Sequence, residues 1–308
     1  MSNYYRVMLG RGSINAEECF AGNFIGGDFT IRQDLTTKLT DSWRDFNQEF
    51  IPIFLALNPE KSKVGAGLAC GFLWTIAVGI RQGDFVLCPD GKGSYKVGEV
   101  VGDYSYQEGG VLPHRRPVRW RQEIVQRVDM SPTLRNSAGS IGTISNLTRY
   151  RDEIERLIQG QAPPSLVATD ETVEDPSVFA LEQHLEDFLV QNWAHTELGK
   201  SYDIYKEDGE RVGQQYPTDT GAIDVLAISK DRKELLVVEL KKGRASDAVV
   251  GQVLRYVGYV QDVLATEHQT VKGVIIALDD DLRLTRALSA APNVDFYRYS
   301  VSFKLFKA

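Results

Sequence analysis

The sequence predicts an α/β protein in two parts: a C-terminal half built on a mixed sheet flanked by helices, preceded by an N-terminal α+β domain containing a small β-barrel. Three observations carry that expectation. The second half alternates apolar residues at helical spacing with β-branched runs, and the first half breaks short apolar runs with glycines. A stretch rich in Pro, Ser, Thr and acids separates the two.

At 308 residues and 43% hydrophobic, the chain has apolar material for two cores. Its first residues, MSNYYRVMLG, lack the basic region, apolar stretch and cleavage site of a secretory signal, so a soluble cytoplasmic protein without a membrane partner is expected. The most apolar stretch, AGLACGFLWTIAVGI at 66–80, is too short and too rich in glycine to span a bilayer; it reads as a core helix or an interfacial segment. GDFVLCPDGKGSYKVGEVVGDYSY and LPHRRPVRW read as short strands joined by glycine turns, compatible with the barrel. TRYRDEIERLIQG at 148–160 has the charge pairs and apolar spacing of a helix, which closes a first domain at 1–160. QAPPSLVATDETVEDPS sets a linker at 161–176 and leaves a second domain at 177–308.

In that second domain, SVFALEQHLEDFLVQNW places Phe179, Leu181, Leu185, Phe188 and Leu189 at helical spacing, with Ser177 as N-cap. GAIDVLAIS and KELLVVELKK, separated by the charged KDRK turn, read as adjacent strands. SDAVVGQVLRYVGYVQDVLA sets Val249, Val253, Val257 and Val260 on one helical face behind Ser246 as N-cap. VKGVIIALD and VDFYRYSVSFKLF complete a mixed sheet.

Composition excludes several classes. The three cysteines, Cys19, Cys70 and Cys88, are odd in number and lack metal-type spacing, and the four histidines lie far from them, so neither a disulfide framework nor a structural zinc is expected. LGRGS lacks the lysine and hydroxyl of a phosphate loop, and DGKGS is a turn, which leaves nucleotide-driven motors and dinucleotide enzymes without support. A net charge of −7 argues against coating nucleic acid by bulk electrostatics while leaving room for a local basic surface. HRRPVRWRQ gathers Arg115, Arg116, Arg119 and Arg121 around Trp120, which suits phosphate contact with an aromatic for stacking. The competing reading is a strand with solvated arginines and Trp120 in the core. Trp43, Trp74, Tyr104 and Tyr106 would wall a pocket for an extruded base, or serve the core singly.

LLVVELKKG at 235–243 raises a sharper question, because a segment that reads as a buried strand carries Glu239 inside it. Glu239 and Lys241 are two apart and share a face of the sheet. Asp224 is likewise embedded in apolar sequence on the neighbouring strand. Two buried carboxylates are costly unless a cation neutralises them. Asp224, Glu239 and the backbone carbonyl of Leu240 offer hard oxygen ligands suited to Mg²⁺ or Mn²⁺. Lys241 would orient or help deprotonate an attacking water and stabilise charge developing on phosphorus. Gln252 and Tyr256, four apart on the following helix, reach the same site, and Arg244 and Arg255 would meet phosphates. The alternative for the E-x-K pair is a surface ion pair, and for the helix residues a polar flank.

Taken together, LEQHLEDFLVQNW, GQQYPTDTGAIDVLAIS, LLVVELKKG and GQVLRYVGYV resemble the C-terminal domain of NucS-type endonucleases, a branch of the PD-(D/E)xK nuclease superfamily. The resemblance covers about residues 177–308 and implies a restriction-endonuclease-like core that cuts DNA with a divalent metal. It makes Asp224 and Glu239 metal ligands, Lys241 the catalytic lysine, and Gln252 and Tyr256 residues lining the site. Glu182 matches the acidic residue of the first core helix, with Glu186 as the competing choice. Gln215 stands where that branch carries a glutamine before the motif aspartate, and is taken as a DNA contact. The proline that names the superfamily is replaced by Ile223, which costs no ligand. The first half departs from NucS and loosely resembles restriction-type modules and PUA or EVE barrels that read bases.

The expectation is a metal-dependent DNA endonuclease whose first domain selects the substrate, acting in restriction or defence against particular or modified DNA. Mismatch or branched-DNA repair is the alternative within the class. A noncatalytic DNA-binding or assembly protein with a nuclease fold is the alternative of another class. DNA is the expected partner; a homodimer would place two active sites on opposing strands, and a separate defence or repair partner would supply any translocation.

Overall fold

The computed structural model describes residues 2–139, 142–160, 185–207 and 209–300. The chain divides into two compact units, Met1–Thr169 and Asp170–Ala308. The expected linker at 161–176, and with it Ser177, Phe179 and Leu181, lies outside the described residues.

In the first unit the elements are β1 (Tyr4–Val7), α1 (Ala16–Gly22), β2 (Phe24–Gly27), α2 (Trp43–Leu57), α3 (Lys63–Trp74), β3 (Phe85–Pro89), β4 (Ser94–Val100), β5 (Ser105–Tyr106), β6 (His114–Gln126), α4 (Pro132–Ala138), β7 (Ile144–Asn146) and α5 (Arg151–Ile158). Serines start both long helices: Ser42 accepts from the Asp45 amide at 3.2 Å and Ser62 from the Gly65 amide at 2.9 Å. The apolar stretch at 66–80 is therefore helical and buried, and it ends in a π-helical turn, Thr75–Gly79. Gly71 on α3 lets α2 approach, because a Cβ there would lie 2.3 Å from the Trp43 ring.

Where a small barrel is expected, the strands form a seven-stranded mixed sheet in the open order β2-β6-β4-β3-β1-β7, with β5 on β6. The thirteen-residue β6 serves both halves of it: His114–Pro117 pair with β2, and Val118–Gln126 with β4 across a register shift between Lys96 and Gly98. Tyr4, Leu87, Val97, Val125, Leu134 and Ile154 form part of a core beneath this sheet. Cys19, Cys70 and Cys88 are free and buried, and burial pushes the Cys19 and Cys70 thiols up to about 12.

The second unit holds helical residues 185–191 (α6), β8 (Tyr202–Ile204), β9 (Lys206–Glu207), β10 (Glu210–Arg211), β11 (Gln214–Thr218), β12 (Gly221–Ser229), β13 (Glu234–Leu240), α7 (Ala248–Tyr259), β14 (Thr270–Ala277), α8 (Leu282–Ser289) and β15 (Val294–Arg298). Its main sheet runs β11-β12-β13-β14-β15, with β8 also on β12. β11, β12 and β13 are antiparallel, whereas β13, β14 and β15 are parallel and joined through α7 and α8. Val249, Val253, Val257 and Val260 are all buried, as the helical spacing requires, and Val253 packs onto Gly273, where a Cβ would come within 2.4 Å of it.

Two local expectations are corrected. Ser246 does not cap α7 with its side chain; Asp247 holds the N-cap position without a side-chain bond, and the Ser246 carbonyl accepts from the Val249 amide. On α6, Phe188 is 65% exposed, while Val190 and Trp193 enter the core with Ile204, Val225 and Val238. The inward stripe of α6 therefore follows Val190, and Glu186, one turn earlier, lies on that same side. Among the described residues no helix is long and apolar enough to cross a membrane.

Candidate active site

The strand register builds the site. β12 and β13 pair Val225 with Val238, so one step further Asp224 stands opposite Glu239; β11 and β12 pair Tyr216 with Ile223, so Gln215 stands opposite Asp224. Directly opposed residues project from the same face of the sheet. Gln215, Asp224 and Glu239 thus form a row across three strands, while their strand neighbours Ile223, Val225 and Val238 are fully buried and turn to the opposite face.

Asp224 is fixed at both oxygens: Oδ2 accepts from the Leu240 amide at 2.7 Å and Oδ1 from Gln215 Nε2 at 3.1 Å. Glu239 is 3% exposed. Its Oε1 accepts from Lys241 Nζ at 2.8 Å and from Gln252 Nε2 at 2.7 Å. Its Oε2 is buried and finds no hydrogen-bond donor among the described residues. Burial above all, and then the charge of Asp224, push the Glu239 carboxyl up to about 7 against the opposing pull of Lys241 and Gln252. Lys241 also donates to Gln252 Oε1 at 3.2 Å, and its side chain remains 34% exposed.

Helix α7 supplies the opposite wall. Gln252 Nε2 lies 3.4 Å from the Tyr256 hydroxyl, one turn on. Tyr256 is buried, and desolvation raises its hydroxyl pKa. The hydroxyl rests against Gly221 at the head of β12, where φ is +141° and a Cβ would sit 2.6 Å away, so only glycine fits. Gln215 carries a second backbone constraint: at φ +50° it is left-handed, which costs a non-glycine residue about 1–2 kcal/mol. Sequence reading overlooked Gln214, whose Nε2 donates to Glu186 Oε1 at 2.9 Å and to Asp187 Oδ1 at 3.1 Å. Glu182 lies outside the described residues.

The remaining expected residues scatter. Arg244 lies past the end of β13, exposed, and pairs with Asp279 at 3.5 Å. Arg255 is exposed on α7, close enough for its charge to lower the pKa of Tyr256. In the first unit the alternation along β6 turns Arg116 to the face opposite Arg115 and Arg119. Arg116 is buried, donates to the Ile80 carbonyl, and has its pKa lowered by desolvation, so it is not presented to a phosphate. Arg115 donates to the carbonyls of Leu112 and Val111 at 3.1 and 2.7 Å and stacks on Phe24. Arg119 is exposed and pairs with Glu99 at 3.0 Å, and Arg121 lies over Phe85. Trp120 packs edge-on against Phe20. Trp43 and Trp74 pair with each other, whereas Tyr104 and Tyr106 pack on His114, so the four aromatics stand in two groups.

Two families match the chain. Residues 5–148 match a domain of unknown function, DUF8426, and residues 181–290 match the endonuclease NucS C-terminal domain. No curated protein matches. Among solved structures, an EndoMS–dsDNA complex is 14% identical over 68% of this chain and 62% of its own, with a TM-score of 0.33. A repair endonuclease from Pyrococcus abyssi is 15% identical over 68% of this chain and 66% of its own, at 0.28. EndoMS in its apo form is 13% identical over 69% and 76%, at 0.29. The chain thus spans less than two thirds of the first two, and the family match, not superposition, carries the assignment. The Gln215, Asp224, Glu239, Lys241 and Gln252 cluster falls wholly inside residues 181–290, the stretch that matches the endonuclease NucS C-terminal domain.

Proposed function

We propose that this protein is a divalent-metal-dependent DNA endonuclease that hydrolyses phosphodiester bonds. One observation carries the reading: Glu239 buries an oxygen without a donor directly opposite Asp224, inside a NucS-type domain. An uncompensated buried carboxylate oxygen costs on the order of 1–3 kcal/mol, which a cation would remove. Asp224, Glu239 and the Leu240 carbonyl are the donors that fit it. The Leu240 amide points to Asp224 and the Lys241 amide to the Ile276 carbonyl. Because the N–H and C=O of one extended residue face the same neighbour, the Leu240 carbonyl lies on the Asp224 side. Among the described residues no three His, Cys, Asp or Glu side chains gather to hold a metal ion. Bound Mg²⁺ or Mn²⁺ would supply Lewis-acid stabilisation and lower the pKa of water.

The chain's own residues do the rest. Gln252 and Lys241 clamp Glu239 Oε1 and fix its rotamer. Lys241, partly exposed, presents its ammonium to the attacking water or to a phosphate oxygen as negative charge builds there. Tyr256 holds Gln252 from the far side.

Between the two roles weighed from the sequence, mismatch or branched-DNA repair ranks ahead of restriction. The NucS likeness favours repair, and the family over residues 5–148 has no known function that would support restriction. The test is cleavage of labelled duplex, single-stranded, mismatched, branched and base-modified DNAs with Mg²⁺ or Mn²⁺, comparing wild type with Glu239→Ala. Metal-dependent cutting of mismatched or branched DNA that disappears in the variant is expected. DNA binding without cleavage, unchanged by Lys241→Ala, would instead establish a noncatalytic binding module.

A further inference from the structure

Gln215 is turned towards acids, and this departs from the DNA contact expected of it. Its Nε2 donates to Glu186 Oε2 at 2.5 Å and to Asp224 Oδ1 at 3.1 Å. A primary amide carries two N–H donors and ionised carboxylates only accept, so the nitrogen has to face both acids. Gln214 holds the other Glu186 oxygen and reaches Asp187, which makes a chain of alternating acids and amides from α6 to the sheet. Glu186 therefore stands one amide away from Asp224. The strand pairs on either side, Gln214 with Val225 and Tyr216 with Ile223, keep regular register, and the left-handed turn falls on Gln215 alone. A residue type that disfavours this conformation occupies the one position opposite Asp224.

We propose that Gln215 is a positioning residue that ties Glu186 of α6 to Asp224 and so sets the orientation of the Asp224 carboxylate for metal. The inference rests on the reading of Asp224 as a ligand. Gln215 and Glu186 act on the ion through Asp224, without touching it. Loss of such an outer partner typically weakens metal affinity about 10–100-fold.

The experiment uses the full chain and Mn²⁺ alone, without DNA. Glycine adopts φ +50° freely, so Gln215→Gly deletes the amide while relieving the backbone. Calorimetric titration with Mn²⁺ compares wild type, Gln215→Gly, Glu186→Gln and the double variant, and hydrogen exchange in chelator follows residues 185–191. Expected are affinity about 10-fold or more weaker in Gln215→Gly, no further loss on adding Glu186→Gln, and faster exchange across 185–191. Unchanged Mn²⁺ affinity in Gln215→Gly, fully additive losses, or reduced DNA affinity with Mn²⁺ binding intact would overturn the proposal. Should wild type itself take up no Mn²⁺, the ligand reading of Asp224 fails, and exchange then decides the tie: unchanged protection overturns it and faster exchange upholds it.

Discussion

Replacing Glu239 by glutamine is expected to stabilise the metal-free protein above neutral pH. The carboxyl titrates near 4.5 when unfolded and at about 7 when folded. The folded state therefore holds more protons between those values, and stability falls as pH rises through that window. At about 1.4 kcal/mol per pKa unit, the cost at about pH 8 reaches about 3 kcal/mol. Glutamine keeps an oxygen for Lys241 and Gln252 but gives up the charge attraction to Lys241 and brings an amide nitrogen to the place of Oε2, which returns about 1–2 kcal/mol. The net gain is about 1–2 kcal/mol, or about 3–8 °C in the melting of the C-terminal unit. Calorimetry in chelator at about pH 8 and about pH 4.5 measures it, with the advantage shrinking at the lower pH. Mn²⁺ at about 100 times its Kd should add about 2.7 kcal/mol to wild type, with no comparable gain in the variant, and reverse the order. A variant no more stable than wild type at pH 8, or one whose advantage persists at pH 4.5, would refute the view of Glu239 as a destabilised buried carboxylate.

Lys241→Ala should lower single-turnover cleavage by about 10²-fold or more while leaving DNA affinity, read by fluorescence anisotropy, within about threefold. Gly221→Ala should cost about 2 kcal/mol in urea denaturation, and distinctly less in a Tyr256→Phe background, because the atom that the new methyl meets is the Tyr256 hydroxyl. Arg116→Met should cost about 2 kcal/mol of stability by stranding the Ile80 carbonyl, whereas Arg119→Ala should cost under about 0.5 kcal/mol, its ion pair being at the surface. A loss of DNA affinity in folded Arg116→Met with unchanged stability would contradict the buried role.

Much of the C-terminal unit was legible because strand and helix periods are local properties. Two-residue spacing set Lys241 with Glu239, and four-residue spacing set Gln252 with Tyr256. The valine stripe of α7 was legible for the same reason. Period alone does not say which side of α6 faces inward: Phe188, counted in the apolar stripe, is exposed, whereas Val190 is buried. Of the arginine run only Arg116 turns inward: period two along β6 sets Arg115 and Arg116 on opposite faces, a signal present in HRRPV and outweighed by the count of positive charges. The acid-amide chain through Gln214, Gln215 and Glu186 was not legible, since nothing about a glutamine announces a left-handed backbone, and the contact joins residues far apart in sequence.

All three cysteines belong to the first unit, one each on α1, α3 and β3, and all are buried. Thiol reagents attack thiolates that reach solvent, so in the native protein these groups are silent. Each becomes a clock for the opening of its own element, and the second unit contributes no background, having no cysteine. Timed alkylation followed by mass analysis would thus follow breathing of the N-terminal unit in the unmodified protein, with no engineered label and no spectral overlap from the other half of the chain.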